Sequence, residues 1–311
     1  MSLAGPIIAV VGPTASGKSS LAEQLAVCLS SAVISVDAMQ IYRGMNIGTA
    51  KTPPDKRRAH LLMVDVADIS QSYSAKLFQK QARSYINAFL KQRRVPVLCG
   101  GTGLYLDATI DELCFPSGKA GDSARERYEQ LAEKYGPDKL YALLVKRDPQ
   151  SAQLIHPHNA RRVIRALEMH DQGFSYAEGN KRLHEHTPHY DCRIWGISMD
   201  RMRLYDRIEH RVDKMFDAGL VEEVERLRSQ GLESSQTARQ AIGYKEVLNY
   251  LEGRCTLEDA RLAVKRNTKH YAKRQLTWLR RDGRIQWLDY NRVDEKQAVQ
   301  LILANLKENS N

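Results

Sequence analysis

The chain has 311 residues, 42% of them apolar and 27% charged, a balance that fits an ordinary globular protein with one large core or two modest ones. No apolar run approaches the roughly 20 residues of a membrane-spanning helix, so a cytoplasmic protein with no membrane partner is expected. The formal net charge of +10 favours a polyanionic partner, most often nucleic acid. Five scattered cysteines (Cys28, Cys99, Cys114, Cys192 and Cys255) make no CxxC pair, which argues against a disulfide framework and against a zinc site.

A strand-length apolar run at 7–11 leads directly into Gly12-Pro-Thr-Ala-Ser-Gly-Lys-Ser19, and an amphipathic helix is predicted over 20–29. Strand, glycine-rich turn and helix in that order form a P-loop. Its backbone N–H groups point inward as a nest for an anion, and the helix N-terminus adds partial positive charge. Gly12, Pro13, Thr14, Ala15, Ser16, Gly17, Lys18 and Ser19 are therefore the candidate phosphate-binding residues, with Lys18 supplying a full charge and Ser19 a hydroxyl for Mg²⁺. The cradle fits ATP, the default for such a turn, and equally a diphosphate ester whose pyrophosphate departs.

Further apolar runs at 32–36, 61–66 and 95–99 read as strands buried on both faces, with a helix predicted over 75–91. In open α/β sheets ligands bind beyond the carboxyl ends of the strands. Asp37 stands at one such end, Asp65 at another, and Gly100-Gly-Thr102-Gly103 is a turn presenting a hydroxyl at a third. Asp65 reads equally as a turn cap or as a Mg²⁺-side acid.

Composition shifts near Phe115, where Pro116-Ser-Gly-Lys-Ala-Gly-Asp122 is a loop. From 123 to about 189 the pattern is helical and polar. Cys192-Arg-Ile-Trp-Gly-Ile-Ser-Met199 then reads as a strand returning to the sheet, followed by helices over 201–230, 238–252 and 257–281 and a short strand at 285–288. The expected fold is α/β: a P-loop NTPase-like parallel sheet core, discontinuous over 1–114 and 191–311, carrying a helical insertion domain at 115–190.

Several blocks together resemble the successive signatures of the tRNA dimethylallyltransferase family, bacterial type. They are the P-loop, Ile34-Ser-Val-Asp-Ala-Met-Gln-Ile-Tyr-Arg-Gly-Met-Asn-Ile-Gly-Thr-Ala-Lys51, Gly100-Gly-Thr-Gly-Leu-Tyr105, Ile155-His-Pro-His-Asn-Ala-Arg-Arg-Val-Ile-Arg-Ala-Leu-Glu168, Ala241-Ile-Gly-Tyr-Lys245 and Ala272-Lys-Arg-Gln-Leu-Thr-Trp-Leu-Arg280. The resemblance spans nearly the whole chain, and the block from Asp37 to Lys51 is far more specific than the P-loop alone. It implies transfer of a dimethylallyl group from dimethylallyl diphosphate to N6 of adenosine 37 in the anticodon stem-loop of tRNA, with release of pyrophosphate.

The resemblance further implies roles. Asp37 becomes the general base that takes the N6 proton. Thr102, Lys18, the P-loop amides and Mg²⁺ assist the departing pyrophosphate, and Thr14 and Ser19 match substrate-contacting hydroxyls. Arg207 or Arg211 adds a cationic contact. Ala38, Met39 and Gln40 hold the extruded adenine, whose edge the Gln40 amide could read. Two positions depart from the family pattern: Ser19 stands where Thr is common, and Ala-Met-Gln follows Asp37 where bacterial members often have Ser-Ala-Leu or Ser-Arg-Gln.

The positive charge is clustered. Residues 257–281 carry Arg261, Lys265, Arg266, Lys269, Lys273, Arg274, Arg280 and Arg281; a second cluster is Arg161, Arg162 and Arg165; a third is Arg239 with Lys245. With aromatic residues at only 7%, recognition of a folded stem by shape and backbone is expected rather than a stacking platform. The insertion would hold the far side of the stem, hinged at 116–122 and near 186–190. No protein partner is evident. The chief rival reading is an ATP-dependent nucleotide or small-molecule kinase, which would use the same P-loop and lid arginines.

Overall fold

In the computed structural model the described residues are 4–115 and 123–308. The expected hinge loop at 116–122 lies outside them. The chain divides into two compact units, Met1–Ile110 with Pro188–Asn311, and Asp111–Thr187.

The first unit is built on a six-stranded parallel sheet. Its strands are β1 (Ala4–Val11), β2 (Ala32–Val36), β3 (His60–Leu62), β4 (Val97–Gly100), β5 (Tyr190–Ser198) and β6 (Gln286–Asp289), in the spatial order β3-β2-β4-β1-β5-β6. Alternate residues of β1 face opposite layers. Ile7, Ala9 and Val11 pack with one set of helices, Ile8 and Val10 with the other, and both faces are buried as the unbroken apolar runs require. The smaller layer holds α1 (Lys18–Cys28) and α12 (Glu295–Glu308). The larger layer holds α2 (Ala75–Lys91), α3 (Gly103–Ile110), α8 (Arg201–Asp217), α9 (Leu220–Ser229), α10 (Tyr244–Leu251) and α11 (Leu257–Leu279). β1 lies between β4 and β5, so the turns after β1 and β4 are neighbours, with that after β2 on the other side of β4.

Helix α2 has the bounds its pattern predicts, because the Ser74 side chain accepts from Leu77 N–H at its start. Three other elements differ. β3 ends at Leu62, since Met63 (φ 59°) and Asp65 (φ 56°) turn the chain away from the sheet. The helix expected over 201–230 breaks at Gly219 (φ 94°), which starts α9 in a left-handed conformation. In place of a helix over 238–252 a short 3₁₀ turn, Ala238–Gln240, precedes α10.

The second unit is helical: α4 (Ser123–Arg147), bent at Gly136, then α5 (Pro149–Gln153), α6 (Ala160–Asp171) and α7 (Tyr176–Glu185). It has its own core around Tyr128, Leu140, Leu144, Val163 and Leu167. Its limits, 111 and 187, fall a few residues before the expected 115 and 190. No helix among the described residues is long and apolar enough to cross a membrane.

Candidate active site

The P-loop follows β1 and is shaped by backbone conformation. Gly12 (φ 156°), Ala15 (φ 64°) and Gly17 (φ 100°) turn the chain so that Gly17 caps α1. The N–H groups of Ala15, Gly17, Lys18 and Ser19 find no acceptor among the described residues, and the buried Ser16 hydroxyl has no partner there either. An unfilled set of donors at a helix N-terminus is an anion site. Pro13 contributes through its carbonyl, which accepts from the Lys18 ammonium at 3.3 Å and from Ser16 N–H at 3.2 Å. Burial lowers the pKa of Lys18; Arg211 adds to the fall, while Cys99 and Asp37 oppose it. The same burial pushes the Cys99 thiol up to about 11, against Lys18 and a hydrogen bond from Ser19.

Thr14, Lys18 and Ser19 line a cavity of about 410 Å³ that also receives Asp37, Ala38, Met39 and Gln40 from the turn after β2, Thr102 from the turn after β4, and Arg211 from α8. Asp37 does two things there. Its Oδ1 accepts from the N–H groups of Met39 (2.8 Å) and Gln40 (3.3 Å) and so closes the turn. Its Oδ2 accepts no hydrogen bond from any described residue. The Thr102 hydroxyl accepts from Ala38 N–H at 3.1 Å and thereby holds the residue next to Asp37.

The two arginines separate by position. Arg207 donates through Nε to the Ala15 carbonyl at 2.7 Å and braces the P-loop from outside the cavity. Arg211 lines the cavity and has no ion-pair partner among the described residues; burial lowers its pKa and the Asp37 charge opposes that. Lys18, Arg211 and Arg274 against Asp37 and Glu23 leave the lining net positive, as an anionic ligand requires. The oxygens of Ser19, Asp37 and Glu23 on one lining are a hard donor set, the kind that suits Mg²⁺ sharing phosphate oxygens.

The structure narrows three sequence expectations. Asp65 is not on the cavity: its Oδ1 accepts from the buried Lys51 ammonium at 2.6 Å, so it is a structural partner and not a Mg²⁺-side acid. The Gln40 amide is partly committed inside the protein, accepting from the Ser35 hydroxyl at 2.9 Å and donating to the Thr49 carbonyl at 3.1 Å. One N–H and one lone pair remain for reading a base. On α11 the cations Arg261, Lys265 and Lys269 are paired within the protein, the first two with Asp213 and the third with Glu209 of α8. Arg266, Lys273, Arg274, Arg280 and Arg281 are the exposed cations left on that helix and the residues that follow it, and Arg274 also lines the cavity. Arg239 and Lys245 are exposed on either side of the cavity-lining Ala241 and Ile242, with Arg239 donating to the Glu233 carbonyl at 3.0 Å. Arg161, Arg162 and Arg165 are exposed on α6 of the second unit, where Arg165 pairs with Glu168 at 3.4 Å.

Residues 40–282 match the model of the IPP transferase family. The chain belongs to that family. It is 42% identical over 308 residues to a tRNA dimethylallyltransferase of Carboxydothermus hydrogenoformans, an alignment covering 98% of both chains. Among solved structures it is similar to a tRNA delta(2)-isopentenylpyrophosphate transferase of Staphylococcus epidermidis (TM-score 0.72, 36% identity, 98% of this chain and 100% of that one). It is also similar to a eukaryotic dimethylallyltransferase acting on tRNA (TM-score 0.81, 27% identity, 97% of this chain and 79% of that one). The IPP transferase match starts beyond the P-loop, whereas these full-length likenesses include it. Such relatives do not favour the kinase alternative, and the fold of these neighbours agrees with the expected P-loop NTPase-like sheet.

One stripe of this IPP transferase chain carries residues to which the sequence reading gave no role. Tyr271, Gln275 and Trp278 stand at i, i+4 and i+7 on α11 and pack on the turns of the site. The buried Gln275 accepts from Thr14 N–H at 2.8 Å and donates to the Gly101 carbonyl at 3.0 Å, joining the P-loop to the turn after β4. Trp278 Nε1 donates to Asp107 at 3.0 Å. A Cβ on Gly101 would lie 2.0 Å from Gln275, and one on Gly103 2.1 Å from Trp278, so this contact dictates both glycines. Tyr271 lines the cavity beside Thr102. A polar Gln on the buried stripe of a helix was the available signal.

Proposed function

We propose that this chain transfers a dimethylallyl group from dimethylallyl diphosphate to N6 of adenosine 37 in the anticodon stem-loop of tRNA, releasing pyrophosphate in the cytoplasm. The observation that carries the reading is a phosphate cradle whose donors are unfilled among the described residues, sharing one cavity with a carboxylate oxygen that accepts no hydrogen bond from any of them. The cradle takes the diphosphate, and Lys18 and Arg211 balance the charge that grows on the leaving oxygen. The N6–carbon bond forms as the carbon–oxygen bond breaks; the electron pair leaves with pyrophosphate and the N6 proton passes to Asp37 Oδ2. Thr102 contributes by fixing Ala38 beside that carboxylate. Mg²⁺, held by the Ser19 hydroxyl and the donor's own oxygens, would supply further charge neutralisation.

The nucleic acid enters this reading through its chemistry. Ala38, Met39 and Gln40 would hold the extruded adenine, and the Gln40 amide retains one donor and one acceptor for its edge. Arg161, Arg162 and Arg165 on the helical unit, with Arg239 and Lys245 on the other, would contact phosphates of the stem. The deciding experiment incubates the protein with dimethylallyl diphosphate, Mg²⁺ and an anticodon stem-loop carrying the adenosine. Mass spectrometry should show one dimethylallyl group added to the RNA. Hydrolysis of ATP with no prenylated RNA would overturn the proposal in favour of the kinase.

A further inference from the structure

Glu223 is a deeply buried carboxylate whose purpose the site leaves unexplained. It sits in the first turn of α9, where the helix dipole favours an acid, with 2% of its surface exposed. Acids are seldom buried without a cation, yet no ion pair is formed by Glu223 among the described residues. Its four hydrogen-bond donors are neutral. Oε1 and Oε2 accept from the N–H groups of Asn46 (3.1 Å), Ile47 (2.9 Å) and Gly48 (3.2 Å), and Oε1 also accepts from the Tyr244 hydroxyl at 2.6 Å. Three successive amides turned toward one carboxylate make a nest whose anion belongs to the protein itself.

Around this nest the segment is held from every side. The Tyr244 ring lies so close to Gly48 that a Cβ there would come within 2.4 Å of it. Burial, with Glu223 beside it, pushes the Tyr244 hydroxyl's pKa up and keeps it a donor. The Thr49 hydroxyl donates to the Met45 carbonyl at 2.6 Å. Lys51 donates to the Tyr42 carbonyl and to the Asn46 side chain. Beyond the nest the same segment becomes cavity wall, since Gly48, Thr49 and Ala50 line the site. The Thr49 carbonyl holds the Gln40 amide, and Gln40 N–H in turn donates to Asp37 Oδ1.

We infer that Glu223, with Tyr244, is a positioning residue for the transfer reaction: it fixes residues 46–49 so that Thr49 sets Gln40, and Gln40 sets Asp37, at the cavity. The inference rests on the transferase reading above. The carboxylate touches no reacting atom, so its effect belongs in kcat. The diphosphate cradle is anchored separately, through Gln275 and Arg207.

The test is Glu223→Gln, which keeps the shape but turns an NH₂ group toward backbone donors. Prenyl transfer is measured under saturating RNA, with hydrogen–deuterium exchange on the same protein. The expected result is a kcat lower by about 10²-fold, the cost of a misplaced reacting group, with KM for dimethylallyl diphosphate within about threefold of wild type. Exchange should rise at 46–49 and at Gln40 but not in β1 or α1. A folded variant with wild-type kcat overturns the inference, as does exchange that rises evenly through the unit or a KM that moves with kcat. If Glu223→Gln fails to fold, Tyr244→Phe, which removes a single hydroxyl, carries the same expectations at smaller amplitude. A wild-type protein that transfers nothing would sink the transferase reading, and the exchange pattern would still decide whether Glu223 holds Gln40.

Discussion

Asp37→Asn separates the two jobs of one side chain. The amide retains Oδ1, so the hydrogen bonds from Met39 and Gln40 persist and the turn after β2 is kept. Loss of stability should stay below about 1 kcal/mol, the scale of one ordinary hydrogen bond. What disappears is Oδ2 as a proton acceptor. General-base assistance is worth about 10²–10⁴ in rate, or about 3–5 kcal/mol of barrier, and kcat should fall by that factor. Donor affinity should move the other way or not at all. The Asp37 charge opposes a diphosphate, although it also supports the protonated forms of Lys18 and Arg211. With that support gone the Lys18 pKa falls further, so donor binding in the variant should weaken at a lower pH than in wild type. Single-turnover transfer to the stem-loop, read by mass at several pH values, measures both effects. A kcat within about threefold of wild type would refute the base assignment and move attention to Glu23, the other carboxylate on the cavity lining.

Arg211→Gln, by removing one of the cations on the cavity, should raise KM for the diphosphate about 10–100-fold. Arg207→Gln, outside the cavity, should raise it less than about tenfold because only a brace on the Ala15 carbonyl is lost; the reverse order would contradict the assignment. In the helical unit, Asp148 caps α5 and accepts from Ser151 N–H (3.0 Å) and the Ser175 hydroxyl (3.1 Å). Asp148→Ala should destabilise that unit by about 1–3 kcal/mol in thermal unfolding. Burial alone would raise the Asp148 pKa, but the Ser151 and Ser175 bonds outweigh it and the value is lowered from 3.8. Its contribution is therefore whole above that pH and is lost as the pH falls through the lowered value, so Asp148→Ala and wild type should converge in stability only under strong acid. Binding of the stem-loop should weaken steeply with salt, and Arg161→Ala or Arg162→Ala should each reduce the log–log slope by about one; an unchanged slope would show that the residue meets no phosphate.

Short-range physics was legible in the chain and long-range partners were not. The P-loop, the strands buried on both faces and the capped helix over 75–91 follow from glycine spacing, apolar runs and Ser74, all of which act within a few residues. β3 was read too long because Met63 and Asp65 look like more strand; the reason they turn is Lys51, whose ammonium claims Asp65 from a loop far from the sheet pattern. The α11 cations show the same limit. Lys265 and Lys269 stand one turn apart and look like a phosphate track until Asp213 and Glu209, spaced one turn apart on α8, meet them in antiparallel register.

Two of the residues to which sequence reasoning gave no role, Gln275 and Glu223, share a chemical trait: they bond to backbone. Gln275 satisfies Thr14 N–H, and Glu223 satisfies three amides in the segment 46–48. A motif shows the groups that meet the substrate, because those need a fixed residue type at a fixed spacing. It does not say which groups fix the backbone of a loop, since any acceptor brought to the right place would do, and the place is set by packing across the unit. Yet both betray themselves in a weaker way, as polar side chains on the buried stripe of an amphipathic helix. Leaving such a group unpaired costs about 1–3 kcal/mol, more when it is charged, so each must have a partner to find. In this fold the partners are the turns that carry Asp37 and the phosphate cradle, and the shape of the site is thus held by side chains that bond to its backbone.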